Sequence, residues 1–533
     1  MVYHSSMSSS AMIRTSLVAL VLGFSFCIVP VVSAGDVSLE ELKRMIEESE
    51  KLSEPVEKAE DAKPALHVKT VPSAPESLYL KQPLGDFQSL PQAKRVLLDV
   101  RSNHSDGAHS MDMLADLAIR RGIDTLVYGE HDRYTIRLGL DPIARWIGIS
   151  MEHPSLYETG LGAFFSDLKR VRNKYPQLHF MAATESTPGY YWSGIPFKDL
   201  SLHEAERHII ALGIERPEQV EALPSYDLRN IRGSFILSLT VWFIALLLPL
   251  IFLRHRKRMA LLLLAASSVA VLCTWLLQEK IDPDVDFINT AREQGLFVIW
   301  THPGTQSGVR EGPMGVQLDT PPYSQRVFEA PTADAFAAVY GDNDNNTVPG
   351  GVWDRFMMEY MMGYRPKPIW AVSAGDYHEE GQSREYLGNF PMDVWTDGEG
   401  SEAVMEALRA GRNTSWFMTK EKNLKMAALF LEDQSGTRLL PGDEKTVERQ
   451  VKLHAAISEW GPTEGSPGSG IQSLKGEWIV DGRVEATVEL SMDDTISVTP
   501  LELMPGQHVV RLQIPNQQGV RMEANPFLLR VRR

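Results

Sequence analysis

The chain has 533 residues and carries 69 Asp and Glu against 53 Lys and Arg, a formal net charge of −16. That length allows two or three domains, each with its own core, and the acidic balance argues against nucleic acid as a partner. Its only two cysteines, Cys27 and Cys273, lie in apolar runs, so no disulfide framework organises the fold.

At the N-terminus, Arg14 precedes an apolar stretch from Ser16 to Val32 that ends in Val32-Ser33-Ala34 before Gly35. A positive flank, a short apolar region and small residues at the cleavage positions predict a signal peptide over residues 1–34, with an uncleaved anchor helix as the alternative. Residues 35–94 read as a short helix and a linker. Ser38 and Glu41 fit a capping box, with Leu39, Leu42, Met45 and Ile46 on one face, and a Pro-, Lys- and Glu-rich tether follows.

From Arg95 onward, short apolar runs alternate with helical stretches. "RVLLDV" leads to a helix over 110–121, the strand "GIDTLVYG", a helix over 162–175 and the strand "LHFMAATE". Two uncharged apolar segments then follow, residues 234–253 and 259–277, joined by "RHRKR" at Arg254 to Arg258. About 20 apolar residues in a helix cover a bilayer's roughly 30 Å of hydrocarbon, and a cationic loop is kept on the cytoplasmic side. The sequence therefore predicts a transmembrane helical hairpin, with the lipid bilayer as a partner. It places the chain in a bacterial cytoplasmic membrane with its domains on the periplasmic, extracytoplasmic side.

After these segments, "DPDVDFINTAREQG" reads as a helix. "LFVIWTHPG", "ADAFAAVYG" and "PIWAVSAGDYH" read as strands, and 401–410 as a helix. This β/α pattern occupies 95–232 and 280–420, and barrels built this way carry their chemistry at the C-terminal ends of the strands. Residues 423–533 change texture. Alternating segments such as "VKLHAAISEW" and "EATVELSM" between Gly, Pro and Asp turns predict a C-terminal β-sandwich-like domain.

Acids and imidazoles recur at successive strand ends: Asp99, His104 and Asp106, then Glu130 and His131, Glu185, His302, and Asp376 with His378. A single one is most simply a capping or core residue. Their recurrence without thiols suits hard or borderline divalent cations such as Mn²⁺, Zn²⁺ or Fe²⁺. Arg101 stands among them and cannot ligate a metal, because its guanidinium stays protonated and offers only donors. "GDNDNN" at 341–346 resembles a calcium loop but has Trp353 where the bidentate glutamate belongs. "YYWSG" at 190–194 could line a pocket or sit at a membrane interface.

In order and spacing, "NHSDG", "GIDTLVYGEHD", "THPG" and "GDYH", with "LRAGRNTSW" at 408–416, resemble the motifs of the polymerase and histidinol phosphatase (PHP) family of metal-dependent phosphoesterases. The resemblance implies an α/β fold, a distorted (β/α)7 PHP-type barrel interrupted by the hairpin. It implies two divalent metal ions (Mn, Zn or Fe) held by Asp106, His131, Glu185, His302, Asp376 and His378, with Asp99 as a substitute ligand. In the opening motif the family's pair of histidines falls on Asp99 and Arg101. A family histidine downstream of the bridging glutamate has Trp192, His203 and His208 as neighbours, with no clear match.

The activity implied is hydrolysis of a small or lipid-linked phosphoester by metal-activated water. Arg101 would bind a substrate oxyanion, and His104 or His109 would protonate the leaving group. Two alternatives stay open. Arg101 could pair with Asp99 or Glu130 in a PHP-fold binding or scaffold protein that has lost catalysis, or the metals could hydrolyse a non-phosphate ester or amide.

Overall fold

The computed structural model describes residues 80–87, 93–139, 148–194, 198–227, 282–305, 308–312, 315–329, 333–341, 345–381, 386–420, 422–461 and 469–532. All of these lie in one compact unit, Ala74–Arg533. The expected signal peptide and N-terminal helix fall outside the described residues.

After a short strand, Leu80–Pro83, that pairs with Thr495–Glu502, β1 (Ala93–Val100) buries six consecutive residues, as a strand covered on both faces must. It is followed by α1 (Met111–Arg120). There Ser110 caps the first turn by accepting the Met113 N–H at 3.4 Å, and Met111, Leu114, Ala115 and Ala118 form the inward stripe. Further along, among shorter elements, come β2 (Thr125–His131), α2 (Leu161–Lys174), β3 (His179–Ser186) and β4 (Ile209–Leu212). After the apolar segments come α3 (Pro283–Glu293), β5 (Phe297–Trp300), β6 (Ala335–Val339), α4 (Val352–Met361), β7 (Trp370–Ser373), β8 (Pro391–Trp395), α5 (Gly400–Arg409) and β9 (Asn413–Met418). Asp282 caps α3 and Pro283 occupies its first turn, which explains why "DPDVDF" starts a helix.

These strands belong to one curved sheet, ordered β7-β6-β5-β4-β3-β2-β1-β8-β9. β1, β2 and β3 run parallel, β4 runs against both its neighbours, and β5, β6 and β7 run parallel again. Between β7 and β1 the closure is a single bridge, Val100 to Tyr377, flanked by Gly375 N–H donating to Leu98 O at 2.9 Å and Arg101 N–H to Tyr377 O at 2.8 Å.

Past β9 the same sheet continues into the C-terminal region, where β9 pairs with a later strand, Val520–Ala524, and that strand with Gly506–Gln517. A second, five-stranded antiparallel layer contains Leu424–Asp433, Gln450–Glu459 and Thr495–Glu502. Trp416, Trp478, Leu453, Leu490 and Ile514 share the core that accompanies these strands.

The fold class expected from the sequence needs correction. The described residues form a strand-rich α/β fold whose curved sheet is a half-barrel, joined by one bridge where a closed barrel has a continuous ladder. No helix among the described residues is long and apolar enough to cross a membrane. The expected interruption by a transmembrane hairpin, and the placement in a cytoplasmic membrane through two mid-chain helices, are therefore withdrawn. The segments 234–253 and 259–277 that prompted them lie outside the described residues.

Candidate metal centre

The C-terminal ends of the parallel strands meet at one edge of the sheet. β2 delivers His131, β3 delivers Glu185, the turn after β5 delivers His302, and the turn after β7 delivers Asp376 and His378. Since β4 runs the other way, it contributes from its beginning: His208 precedes Ile209, which pairs with Ser186 on one side and Trp300 on the other. A cavity of about 190 Å³ opens there, lined by Asp106, His131, Tyr134, Glu185, His208 and His302, with Tyr340, Asp376 and His378 beside them.

Glu185 is the hub and is 1% exposed. Its Oε1 lies 3.5 Å from His302 Nε2, and its Oε2 lies 3.3 Å from His208 Nδ1 and 3.8 Å from His131 Nδ1. Asp106 Oδ2 faces His378 Nε2 at 3.3 Å and His131 Nε2 at 3.5 Å. Tyr340 donates to Asp376 Oδ2 at 2.5 Å. Asp99, His302 and Asp376 all have left-handed backbone, at φ 69°, 29° and 44°. Non-glycine residues adopt that conformation only where their surroundings impose it, commonly at functional sites.

Electrostatics separate the two ends of the cluster. Burial alone would push the Glu185 carboxyl up, but Arg101 and His208 beside it hold it well below the usual carboxylate range. His208 responds in kind: burial opposes its charge, yet Glu185 raises it to about 9. Burial, reinforced by Arg101, drops His131 to about 3, so that ring is neutral and keeps a lone pair. Burial also lifts Glu130 to about 7, against hydrogen bonds from Ser102 and Ser105.

Several sequence-predicted residues sit elsewhere. Glu130 accepts from the Ser102 N–H at 3.0 Å and from the Ser102 and Ser105 hydroxyls, pinning the loop that carries Asp106. The ring of His104 hydrogen-bonds Asp167 at 3.0 Å and meets Phe164 edge-on, so it does not join the cluster. His109 tilts against Tyr377. His203 lies between Ser193 Oγ at 2.6 Å and Asp319 at 2.8 Å, and Trp192 donates to Arg137 O at 2.9 Å. "YYWSG" therefore packs on the Thr135–Gly139 strand, and the cavity lining does not include it.

Arg101 is fully buried beneath the cavity. One guanidinium nitrogen donates to Gly129 O. The other donates to Glu185 and, at 3.0 Å, to Asp376, and stands 3.6 Å from Asp99. The sequence-based pairing with Asp99 is thus part of a wider set, and Glu130 is not in it. Gly129 is required here: a Cβ at that position would lie 2.3 Å from Asp99 Oδ1.

The donor set fits a divalent cation on the Glu185 side facing His208 and His302, where one ligand atom from each lies within 4.8 Å of the others. His208 Nε2 contacts the Ala205 carbonyl at 3.2 Å, and His378 Nδ1 contacts the Asp376 carbonyl at 2.7 Å. A ring N–H given to a carbonyl turns the other nitrogen's lone pair inward, the arrangement found behind metal-bound histidines. Those inward nitrogens face carboxylate oxygens, which are also acceptors, so a cation or a proton must lie between them. Glu185 Oε1, buried, has no hydrogen-bond partner among the described residues.

No family model matches the sequence, and no curated protein matches it. Three solved structures are similar at a distance. One is a two-domain protein from Bacteroides vulgatus containing a predicted PHP-like metal-dependent phosphoesterase: 12% identity, 86% of this chain, 97% of the other, TM-score 0.34. Another is an inferred metal-dependent phosphoesterase from Bifidobacterium adolescentis: 11% identity, 60% of this chain, 96% of the other, TM-score 0.27. The third is an amidohydrolase from Chromobacterium violaceum with bound sulfate and no metal: 14% identity, 59% of this chain, 96% of the other, TM-score 0.23. These likenesses are remote.

Proposed function

We propose that the chain is a metal-dependent hydrolase of the PHP type acting on phosphate esters. The observation that carries this reading is the convergence of Glu185, His208 and His302 on one point of a cavity that Asp106, His131 and His378 also line. Bound there, a divalent cation would polarise a phosphoryl oxygen and lower the pKa of water. Its ligands would be Glu185, His208 and His302, with Asp106, His131 and His378 lining the same cavity. The neutral His131 ring, tilted against Tyr134 with centroids 4.6 Å apart, keeps a lone pair that can face a cation or orient a reacting oxygen.

Arg101 makes its donations to protein oxygens and does not line the cavity, so the substrate-binding role expected from the sequence passes to the other residues. At about 190 Å³ the space is below the roughly 300 Å³ of a small drug-sized site. It suits a phosphate head with the remainder of the substrate outside.

The test is hydrolysis of phosphomonoester and phosphodiester probes by the purified chain with Mn²⁺ or Zn²⁺, and its loss in Glu185→Gln. No metal-dependent hydrolysis of any phosphoester probe would overturn the proposal.

A further inference from the structure

The cluster holds a second cation-sized position. Asp99, Glu185 and Asp376 each bring one carboxylate oxygen within 4.8 Å of the others. By donor type alone this trio fits a divalent ion as well as the His208 side does. A metal does not fit there, because a cation of the chain's own stands among the three oxygens. Arg101, 0% exposed, places one terminal nitrogen against Glu185, 3.0 Å from Asp376 and 3.6 Å from Asp99.

The local structure is organised to hold that nitrogen in place. The Arg101 N–H donates to Tyr377 O at 2.8 Å, its other terminal nitrogen binds Gly129 O, and Gly129 leaves the room that Asp99 needs. We infer that the Arg101 guanidinium is a built-in substitute for a metal ion at the Asp99–Glu185–Asp376 position, leaving exchangeable metal to the His208–His302 side of Glu185. The inference rests on the metal-dependent reading of the same site.

Its physical content is a difference in exchange and charge. A guanidinium carries one positive charge, keeps its proton and cannot dissociate from the chain. One positive charge thus stands among the acids on this side whether or not metal is present, and three converging carboxylates with no cation at all would be strongly destabilising. Glu185 then spans a fixed cation on one side and an exchangeable one on the other.

The full chain is stripped with chelator, equilibrated with Mn²⁺ or Zn²⁺ alone, and its bound metal counted by elemental analysis beside its thermal midpoint. Asp99→Asn, close to isosteric, should bind as many equivalents as the wild type. Arg101→Ala should bind one more, with a thermal midpoint that rises on adding metal by more than the wild type's does. Loss of an equivalent in Asp99→Asn would show a metal where Arg101 is placed and overturn the inference. A folded Arg101→Ala that gains no metal would overturn it as well. If Arg101→Ala fails to fold, Asp99→Asn decides. A wild type that binds no metal would instead remove the metal-dependent reading on which the inference rests.

Discussion

His208 Nδ1 lies 3.0 Å from His302 Nε2, the two rings meeting nearly at right angles from the ends of neighbouring antiparallel strands. The contact brings His208 into the candidate metal centre, while His203 and Trp192, the other candidates downstream of Glu185, are tied to Ser193, Asp319 and Arg137. His208→Ala should weaken Mn²⁺ or Zn²⁺ binding by more than the roughly 10–100-fold that losing an outer-shell partner costs. His203→Ala should leave affinity within a few-fold. Titration calorimetry measures both, and equal effects would contradict the assignment.

His104 makes the opposite prediction. Its ring is engaged by Asp167 and Phe164, away from the cavity. A general acid contributes on the order of 10²–10⁴-fold to rate, so His104→Gln should retain kcat within a few-fold on any phosphoester the chain cleaves. A loss of about 10² or more, with folding intact by circular dichroism, would return His104 to the chemistry.

Arg511, in the C-terminal region, forks onto Asp354 of α4, with Nε to Oδ1 at 2.7 Å and Nη2 to Oδ2 at 3.0 Å, and also reaches Glu523 at 3.1 Å. All three residues are buried. Removing one partner of such a set strands charge and typically costs about 3–5 kcal/mol. Arg511→Met should therefore lower unfolding stability by about that amount in a denaturant titration while the folded protein binds its usual metal count. A cost under about 1 kcal/mol would mean the fork is only a close contact.

The ring of His454 stacks on Phe430 with centroids 4.2 Å apart, and burial, helped by Lys452 and Arg438, lowers its pKa to about 4. The native ring is neutral between that value and the ordinary histidine pKa of about 6.5, where the unfolded chain takes up a proton. More protons bound when unfolded means stability that rises with pH across this window and is lost as pH falls through it. Comparing urea midpoints between pH 4 and 7 should show a smaller rise in His454→Phe than in the wild type. Parallel curves would remove His454 as a source of acid sensitivity.

Much of the architecture was legible along the chain. The helices expected over 110–121, 162–175 and 401–410 appear as α1, α2 and α5, within a residue or so at each end. Their apolar period and caps are local, and local signals survive translation into structure. The acids and imidazoles at the ends of β2, β3, β5 and β7 were legible for the same reason: parallel strands deliver their C-terminal residues to one edge. His208 was not, because β4 runs against its neighbours and presents the residue before it. Strand direction is set by pairing across the sheet and leaves no mark in the composition of four apolar residues.

The sequence by itself determined the alternation of strands and helices, the residue types available for a metal, and the presence of an arginine where a ligand was expected. What Arg101 does was decided by tertiary structure alone. Its partners Gly129, Glu185 and Asp376 lie 28, 84 and 275 positions away, and only the curvature that brings the turn after β7 back to β1 sets them around one guanidinium. A buried cation takes its role from the charges folding places about it, and those charges were scattered along the chain until the sheet curled.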